Sequence, residues 1–524
     1  MKKIFTIFFL TIVNIGFAQD SSYWQQYLKY DMEATLNDKD NSITAKETIT
    51  YKNNSPETLP FIWFHLWPNG YKNDSTALFK QIRNDLSRKE KLGKIIYGFI
   101  EGLDFKVNGK TAKTQPHPNP EYIDIIKVVL PEPLKPGATA TIATGFKVKL
   151  PSYFSRSGFA DGEYMICQWY PKPAVFDKKG WHEFPYLDMG EFYSEYADYN
   201  VKLTVPADYV VGATGVMQNK EELEYYKSIG KKNTENRTNQ ITYKPLKTGS
   251  KTLHYIAQDV PDFAWFAEKG LIIEYDTIQL KDKTVDAFTY YHNNPNTLWN
   301  NSIDYVKDAV HHYSNWIGAY EYPAVQAFEG PKNNASGGME YPMITLITSP
   351  DAKKESLDGV IAHEVGHNWF MSMLGSNERM HTWQDEGMNS YYQFRYEAEK
   401  YRSNSMMGEI PDEVRKLPQN QFQDRVYGAM TQIPMNTPME TPSADFKTSE
   451  DYALSSYIKP ALWIYLLEHQ FGQDKVDKAF QQYFNDWKNK HPQPEDMKAS
   501  FEKSLGTNLD QFFNLLNKQG SLLQ

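Results

Sequence analysis

The segment His363-Glu364-Val365-Gly366-His367 sets two imidazoles four residues apart with a carboxylate beside the first. On a helix, residues four apart share a face, so both imidazoles can reach one cation while Glu364, one step round, faces a water on that cation. Apolar Val360, Ile361, Val365 and Trp369 surround the pair, as in a helix largely buried in a core. Two helix histidines satisfied by hydrogen bonds are the competing reading. Glu386, in Trp383-Gln384-Asp385-Glu386-Gly387, stands nineteen residues after His367, at the start of the next predicted helix. A helix, a turn at Gly375-Ser376-Asn377 and an antiparallel helix bring that carboxylate back to the imidazoles. Two neutral histidines and one carboxylate leave the fourth position of a zinc ion open, as in a catalytic rather than a closed structural site. One zinc per chain, held by His363, His367 and Glu386, is the expectation.

With HEVGH, the eighteen-residue spacer and Glu386, flanked by HNWF and WQDEGMNSYY, the sequence resembles the M1 family of zinc aminopeptidases, whose signature is HExxH, eighteen residues, then Glu. Upstream, Gly337-Gly338-Met339-Glu340-Tyr341 resembles the family's exopeptidase motif GxMEN, with Tyr341 where the family usually has Asn. The resemblance implies that Glu340 binds the free α-ammonium of a substrate and that the backbone of Gly337, Gly338 and Met339 orients the scissile peptide. Tyr457-Ile458-Lys459-Pro460 is similar to the family segment that begins YEKG, which implies that the Tyr457 hydroxyl stabilises the oxyanion; Tyr452 lies close by. The implied activity is a metallo-aminopeptidase acting on peptides with a free N-terminus, in which Glu364 is the general base for a zinc-activated water. A zinc endopeptidase of the same superfamily and an inactive peptide-binding protein are the alternatives. Glu340 argues against the first, and a complete ligand set with its base argues against the second. The resemblance spans nearly the whole mature chain, to FFNLLNKQG near Phe512, without the large helical C-terminal domain common in the family, which implies a more open cleft.

The elements that must position these residues follow from periodicity. Ile43, Ala45, Ile49 and Tyr51 alternate with polar neighbours, as do Ile142 to Leu150 and Val201, Leu203 and Val205. With turn signals at Asn53-Asn54, Pro68-Asn69-Gly70, Asn108-Gly109 and Pro136-Gly137, this half reads as a β-sandwich-like domain. The aromatic-rich stretch Tyr164 to Tyr199 reads as sheet core and domain interface. After about Glu268 the spacing becomes helical: Trp299 to Tyr313 with Asn296 as candidate cap, Ser356 to Met373 stopped by Gly375, Glu386 to about Tyr401, Pro460 to His469, and Val476 through Trp487. Ser403 to Lys447, rich in Met and Pro, reads as a long loop or loop-helix mixture able to line a cleft. The fold class is therefore α+β: residues 19–267 form a β-rich domain and residues 268–524 a mainly helical, thermolysin-like catalytic domain.

Composition narrows the setting. The 524 residues are 40% hydrophobic and 15% aromatic, which excludes wholesale disorder. A mean hydropathy of −0.63 excludes a polytopic membrane protein. The net charge of −9 offers no general attraction for nucleic acid. Residues 1–18 combine Lys2 and Lys3, an apolar run and the small residues Gly16 and Ala18, an export signal too short for a permanent span. The expectation is a periplasmic or secreted protein with no stable membrane insertion after signal cleavage. Cys167 is the only cysteine, so no intramolecular disulfide forms, and it reads as a small buried side chain.

Overall fold

The computed structural model describes residues 23–523 apart from 296, 334–335 and 350–352. The export segment and the Asn296 cap lie outside these residues.

In the first half, alternation sets the strands. Tyr27–Asn37 turns Leu28, Tyr30, Met32, Ala34 and Leu36 inward, the remaining residues facing away from the core. It pairs antiparallel with Ser42–Lys52 and parallel with Ala197–Pro206. Thr139–Lys149 and Ser250–Val260 extend the two sides of what is a nine-stranded sheet. A four-stranded sheet runs in the order Gly158–Ala160, Glu163–Ile166, Trp265–Lys269, Tyr209–Ala213. The aromatic stretch is interior: Trp169, Tyr170, Tyr186 and Tyr199 are buried, and Tyr193 packs its ring edge-on against His491 from the far end of the chain. Cys167 is buried and free. Among the helices that interrupt the all-strand pattern expected here are Ala77–Asn84 and Lys220–Glu235. The second lies on the strand Ile272–Gln279 because Gly230 has no side chain; a Cβ there would meet that of Tyr275 at 2.6 Å.

The predominantly helical half opens with a five-stranded sheet that periodicity does not reveal. Its order is Ile272–Gln279, Thr284–Tyr291, Ala324–Glu329, Ile344–Ile347, Gly338–Tyr341. The middle three strands are parallel, the helix Ser302–Trp316 crossing over between the first two. All six residues of Ala324–Glu329 and all four of Ile344–Ile347 are buried, so neither strand alternates. The two sheet systems touch at Gly212, where a Cβ would meet Ile344 at 2.8 Å and Phe328 and Tyr290 at 3.2 Å.

The helix carrying the first histidines runs Lys354–Gly366 and stops at His367, short of the expected Met373. The Asn368 side chain donates to the Val365 carbonyl at 2.9 Å, closing the last turn, and Met371 at φ +80° takes the chain away from the axis. Glu386–Tyr401, Lys459–Phe471 and Gln473–Trp487 form as expected. Ser403 to Lys447 holds the short helix Asp412–Arg415 and the helix Gln419–Met430 among loops. Among the described residues, no helix is long and apolar enough to cross a membrane.

Candidate metal centre and active site

His363 and Glu364 sit in the last turn of Lys354–Gly366 and His367 caps it, so both imidazoles leave on one side. Two glycines allow the next helix to come close. At Gly366 a Cβ would meet Asn389 Oδ1 at 2.1 Å, and at Gly387 one would meet Pro460 at 2.3 Å. The Asn389 amide donates to the His363 carbonyl at 2.7 Å, and Tyr313 donates to Asn389 Oδ1 at 2.8 Å, locking the helix Glu386–Tyr401 in register. Glu386 is thereby returned to the imidazoles.

His363 Nε2 and His367 Nε2 stand 3.1 Å apart, and each lies 3.4 Å from Glu386 Oε2. A zinc ion with bonds of about 2.0–2.1 Å spaces tetrahedral donors roughly 3.3 Å apart. Glu386 Oε2 is buried and accepts no hydrogen bond, the state of a ligand atom rather than of a satisfied core carboxylate. The donor set therefore fits zinc. His367 Nδ1 is 2.7 Å from Asp385 Oδ1, so its N–H donates there and the Nε2 lone pair faces the cluster. Burial alone would raise the Glu386 carboxyl, but the neighbouring His363 and His367 imidazoles outweigh it and hold that carboxyl below its ordinary range.

The remaining expected residues converge on the same cavity, about 460 Å³, lined by Gly337, Gly338, Met339, Glu340, Glu364 and Tyr457 together with the three metal-site residues. The segment Gly338–Tyr341 is an edge strand rather than a loop. It turns at Pro342-Met343 with Met343 at φ +64°, the positive φ of a type II turn, and the Met343 N–H donates to Asn368 Oδ1 at 2.9 Å. Asn368 thus ties this hairpin to the end of the histidine helix. Gly338 leaves the room in which Glu364 lies, since a Cβ would stand 2.4 Å from Glu364 Oε1. Tyr341 points away from the cavity, donating to Gln168 Oε1 at 3.1 Å and packing on Phe266. Burial pushes Glu364 up to about 8 and Glu340 well above its ordinary value; His367 opposes both shifts.

Tyr457 lies in a π-helical turn, Leu454–Ile458, that leads into Lys459–Phe471. Its hydroxyl donates to Glu386 Oε1 at 2.5 Å and its ring lies over His363 at 6.0 Å between centroids. Tyr452 packs edge-on against Tyr457 in the same cavity, and its buried hydroxyl has no hydrogen-bond partner.

Two participants are not evident from the sequence. Asp385, the residue before Glu386, carries a signal in its adjacency, but only the fold shows it against His367. Glu191 lines the cavity beside Glu340, gripped by Arg156 at 2.7 and 2.5 Å. Nothing local marks it among the chain's 65 acidic residues.

A β-rich half joined to a mixed sheet and helices, with two histidines, a glutamate and a free carboxylate in the cleft, defines the zinc metallopeptidase class of fold. Residues 302–515 match the model described as "Peptidase family M1 domain". In sequence the chain is similar to a leukotriene A-4 hydrolase homolog from Botryotinia fuckeliana, 28% identical over 193 residues, and to leucine aminopeptidase 2 from Emericella nidulans, 30% identical over 177. Those matches cover 34% and 32% of this chain and 27% of each relative, so the chain matches about a quarter of their length. In structure it resembles an M1 zinc metallopeptidase from Deinococcus radiodurans, with TM-score 0.60, 16% identity and 94% of each chain covered. Aminopeptidase A from Legionella pneumophila gives TM-score 0.63 at 14% identity, over 96% of this chain and 50% of that one.

Proposed function

We propose that the protein is a zinc aminopeptidase removing the N-terminal residue of peptides. The observation that carries this reading is the convergence, in one cavity, of the His363, His367 and Glu386 donors with two further carboxylates, Glu364 and Glu340. His363, His367 and Glu386 hold zinc, which when bound supplies Lewis acidity toward a water and the scissile carbonyl. Glu364 takes the proton of the attacking water and returns it to the leaving amine. The Tyr457 hydroxyl turns from Glu386 to the carbonyl oxygen as that atom gains charge. Glu340 pairs with the α-ammonium, and the strand Gly338–Tyr341 offers backbone groups along the substrate. The neighbours support the substrate class: one Deinococcus radiodurans structure holds a Tyr-Ser-Ala substrate, and the Legionella enzyme holds aspartic acid. The leader-like N-terminus supports a place outside the cytoplasm.

The test is hydrolysis of a panel of aminoacyl amides and short peptides, free and N-acetylated, with and without chelator. Free substrates should be cut, acetylated ones should be cut more slowly by about two orders of magnitude or more, as a lost buried charge pair dictates, and chelation should stop the reaction. Efficient cleavage of acetylated or internal bonds would reject the aminopeptidase in favour of an endopeptidase.

A further inference from the structure

Away from the cleft, four chemistry-bearing side chains meet where the β-rich half abuts the mixed sheet. Glu163 opens the strand Glu163–Ile166, which pairs antiparallel with Trp265–Lys269, Tyr164 facing Ala267. The next step of that ladder sets Glu163 beside Glu268, a like-charge neighbour pair that costs stability unless a cation offsets it. His292 follows Thr284–Tyr291 and Glu329 ends Ala324–Glu329, two parallel strands in which Tyr290 faces Phe328.

The geometry is that of a ligand set. His292 Nε2 lies 3.0 Å from Glu268 Oε2 and 3.6 Å from Glu163 Oε1. On the other side of the ring, Nδ1 is 3.2 Å from Glu329 Oε2, which also accepts the His292 backbone N–H at 2.8 Å. His292 Nε2, Glu268 Oε2 and Glu163 Oε2 are all covered, yet none takes part in a hydrogen bond, so the 3.0 Å approach is misaligned for one. The catalytic cluster bears the same marks: an imidazole braced at Nδ1 by a carboxylate, with Nε2 facing a covered, unbonded carboxylate oxygen at a tetrahedral-edge distance. Three carboxylates around one imidazole leave these four groups net negative even when the ring is protonated. The imidazole is 30% exposed and forms the mouth, an entry path for an ion. A nitrogen donor with carboxylates favours zinc or a similar transition ion over calcium or magnesium, which prefer all-oxygen shells.

We propose that Glu163, Glu268 and His292 form a second binding site for a divalent transition metal such as zinc, with Glu329 positioning the imidazole, and that the ion pins the two halves of the molecule together. Two of the four groups come from each side, so metal binding adds to folding stability across the junction.

The test uses the full-length chain with His363→Ala and His367→Ala, which empties the first site. After equilibration with zinc chloride and desalting, this double variant should keep about one zinc per chain by elemental analysis, and zinc chloride should raise its melting temperature by a few degrees. Adding His292→Ala, or separately Glu268→Gln, should abolish both effects. No retained zinc in the double variant overturns the proposal, as does retained zinc that survives the added substitutions. Should the double variant fail to fold, wild-type stoichiometry decides: two zinc ions support the second site and one rejects it.

Discussion

At the scale of single residues, the cleft separates holding a metal from moving a proton. Glu364 lies against Gly338 and is not among the converging donors, so Glu364→Gln should retain zinc and fold while turnover drops by at least roughly a hundredfold, the usual effect of losing a general base. Elemental analysis beside kinetics checks it; near-normal turnover would mean that another group handles the proton. Tyr457 and Tyr452 offer a sharper comparison. Tyr457 reaches a ligand carboxylate and Tyr452 has an unsatisfied hydroxyl in the same cavity. Tyr457→Phe should lower kcat more than it raises KM with zinc retained through Glu386 Oε2, because its hydrogen bond to substrate forms mainly in the transition state. If Tyr452→Phe shows that pattern instead, the oxyanion role belongs to Tyr452.

At the scale of elements, the site is a matter of how closely backbones approach. The histidine helix, the Gly338–Tyr341 strand and the Glu386 helix meet through Gly338 and Gly366, while Gly387 admits Pro460 of Lys459–Phe471, with Asn368 and Asn389 supplying the cross-links. Gly338→Ala tests this without touching a charged group. Its Cβ would stand 2.4 Å from Glu364 Oε1, the movable end of a side chain, so the protein should fold and bind zinc while the carboxylate is displaced. A misplacement near 1 Å can cost about a hundredfold in rate. The expected outcome is a fall in kcat of one to two orders of magnitude, on the order of that estimate, with an unchanged melting temperature; unaltered kinetics would show that Glu364 does not need the space Gly338 leaves.

At the scale of the whole molecule, the β-rich half shapes the cleft it does not itself catalyse in. Asp124 Oδ2 accepts the Tyr186 N–H at 2.6 Å, anchoring the segment that runs on to Glu191. Burial pushes the Asp124 carboxyl up to about 7. Its folded pKa lies above its unfolded value near 4, so its contribution to stability is complete below about pH 4 and is lost as pH rises through 7, with a slope of up to about 1.4 kcal/mol per pH unit. Asp124→Asn keeps the acceptor and cannot ionise. Thermal unfolding between pH 5 and pH 8 should therefore show the variant gaining on the wild type as pH rises, and parallel curves would exclude this source of pH dependence.

What the amino-acid sequence determines by itself is what is local in the chain. The pairing of His363 with His367 on one face, and the helices bearing the metal-site residues, follow from a 3.6-residue period that holds within one turn of backbone. The long half-exposed strands such as Ser42–Lys52 announce themselves through alternation. The strands Ala324–Glu329 and Ile344–Ile347, covered on both faces, carry no alternation, so periodicity is silent on the sheet beneath the metal helix. Long-range packing settles the rest. It brings Glu191 and Arg156 to the cleft, turns Tyr341 outward to Gln168, and gathers Glu163, Glu268 and Glu329 from three strands, with His292 from the end of a fourth, at one junction. Each of these depends on residues dozens to more than a hundred positions apart, whose meeting is fixed by the burial of sheets and helices against one another rather than by any spacing along the sequence.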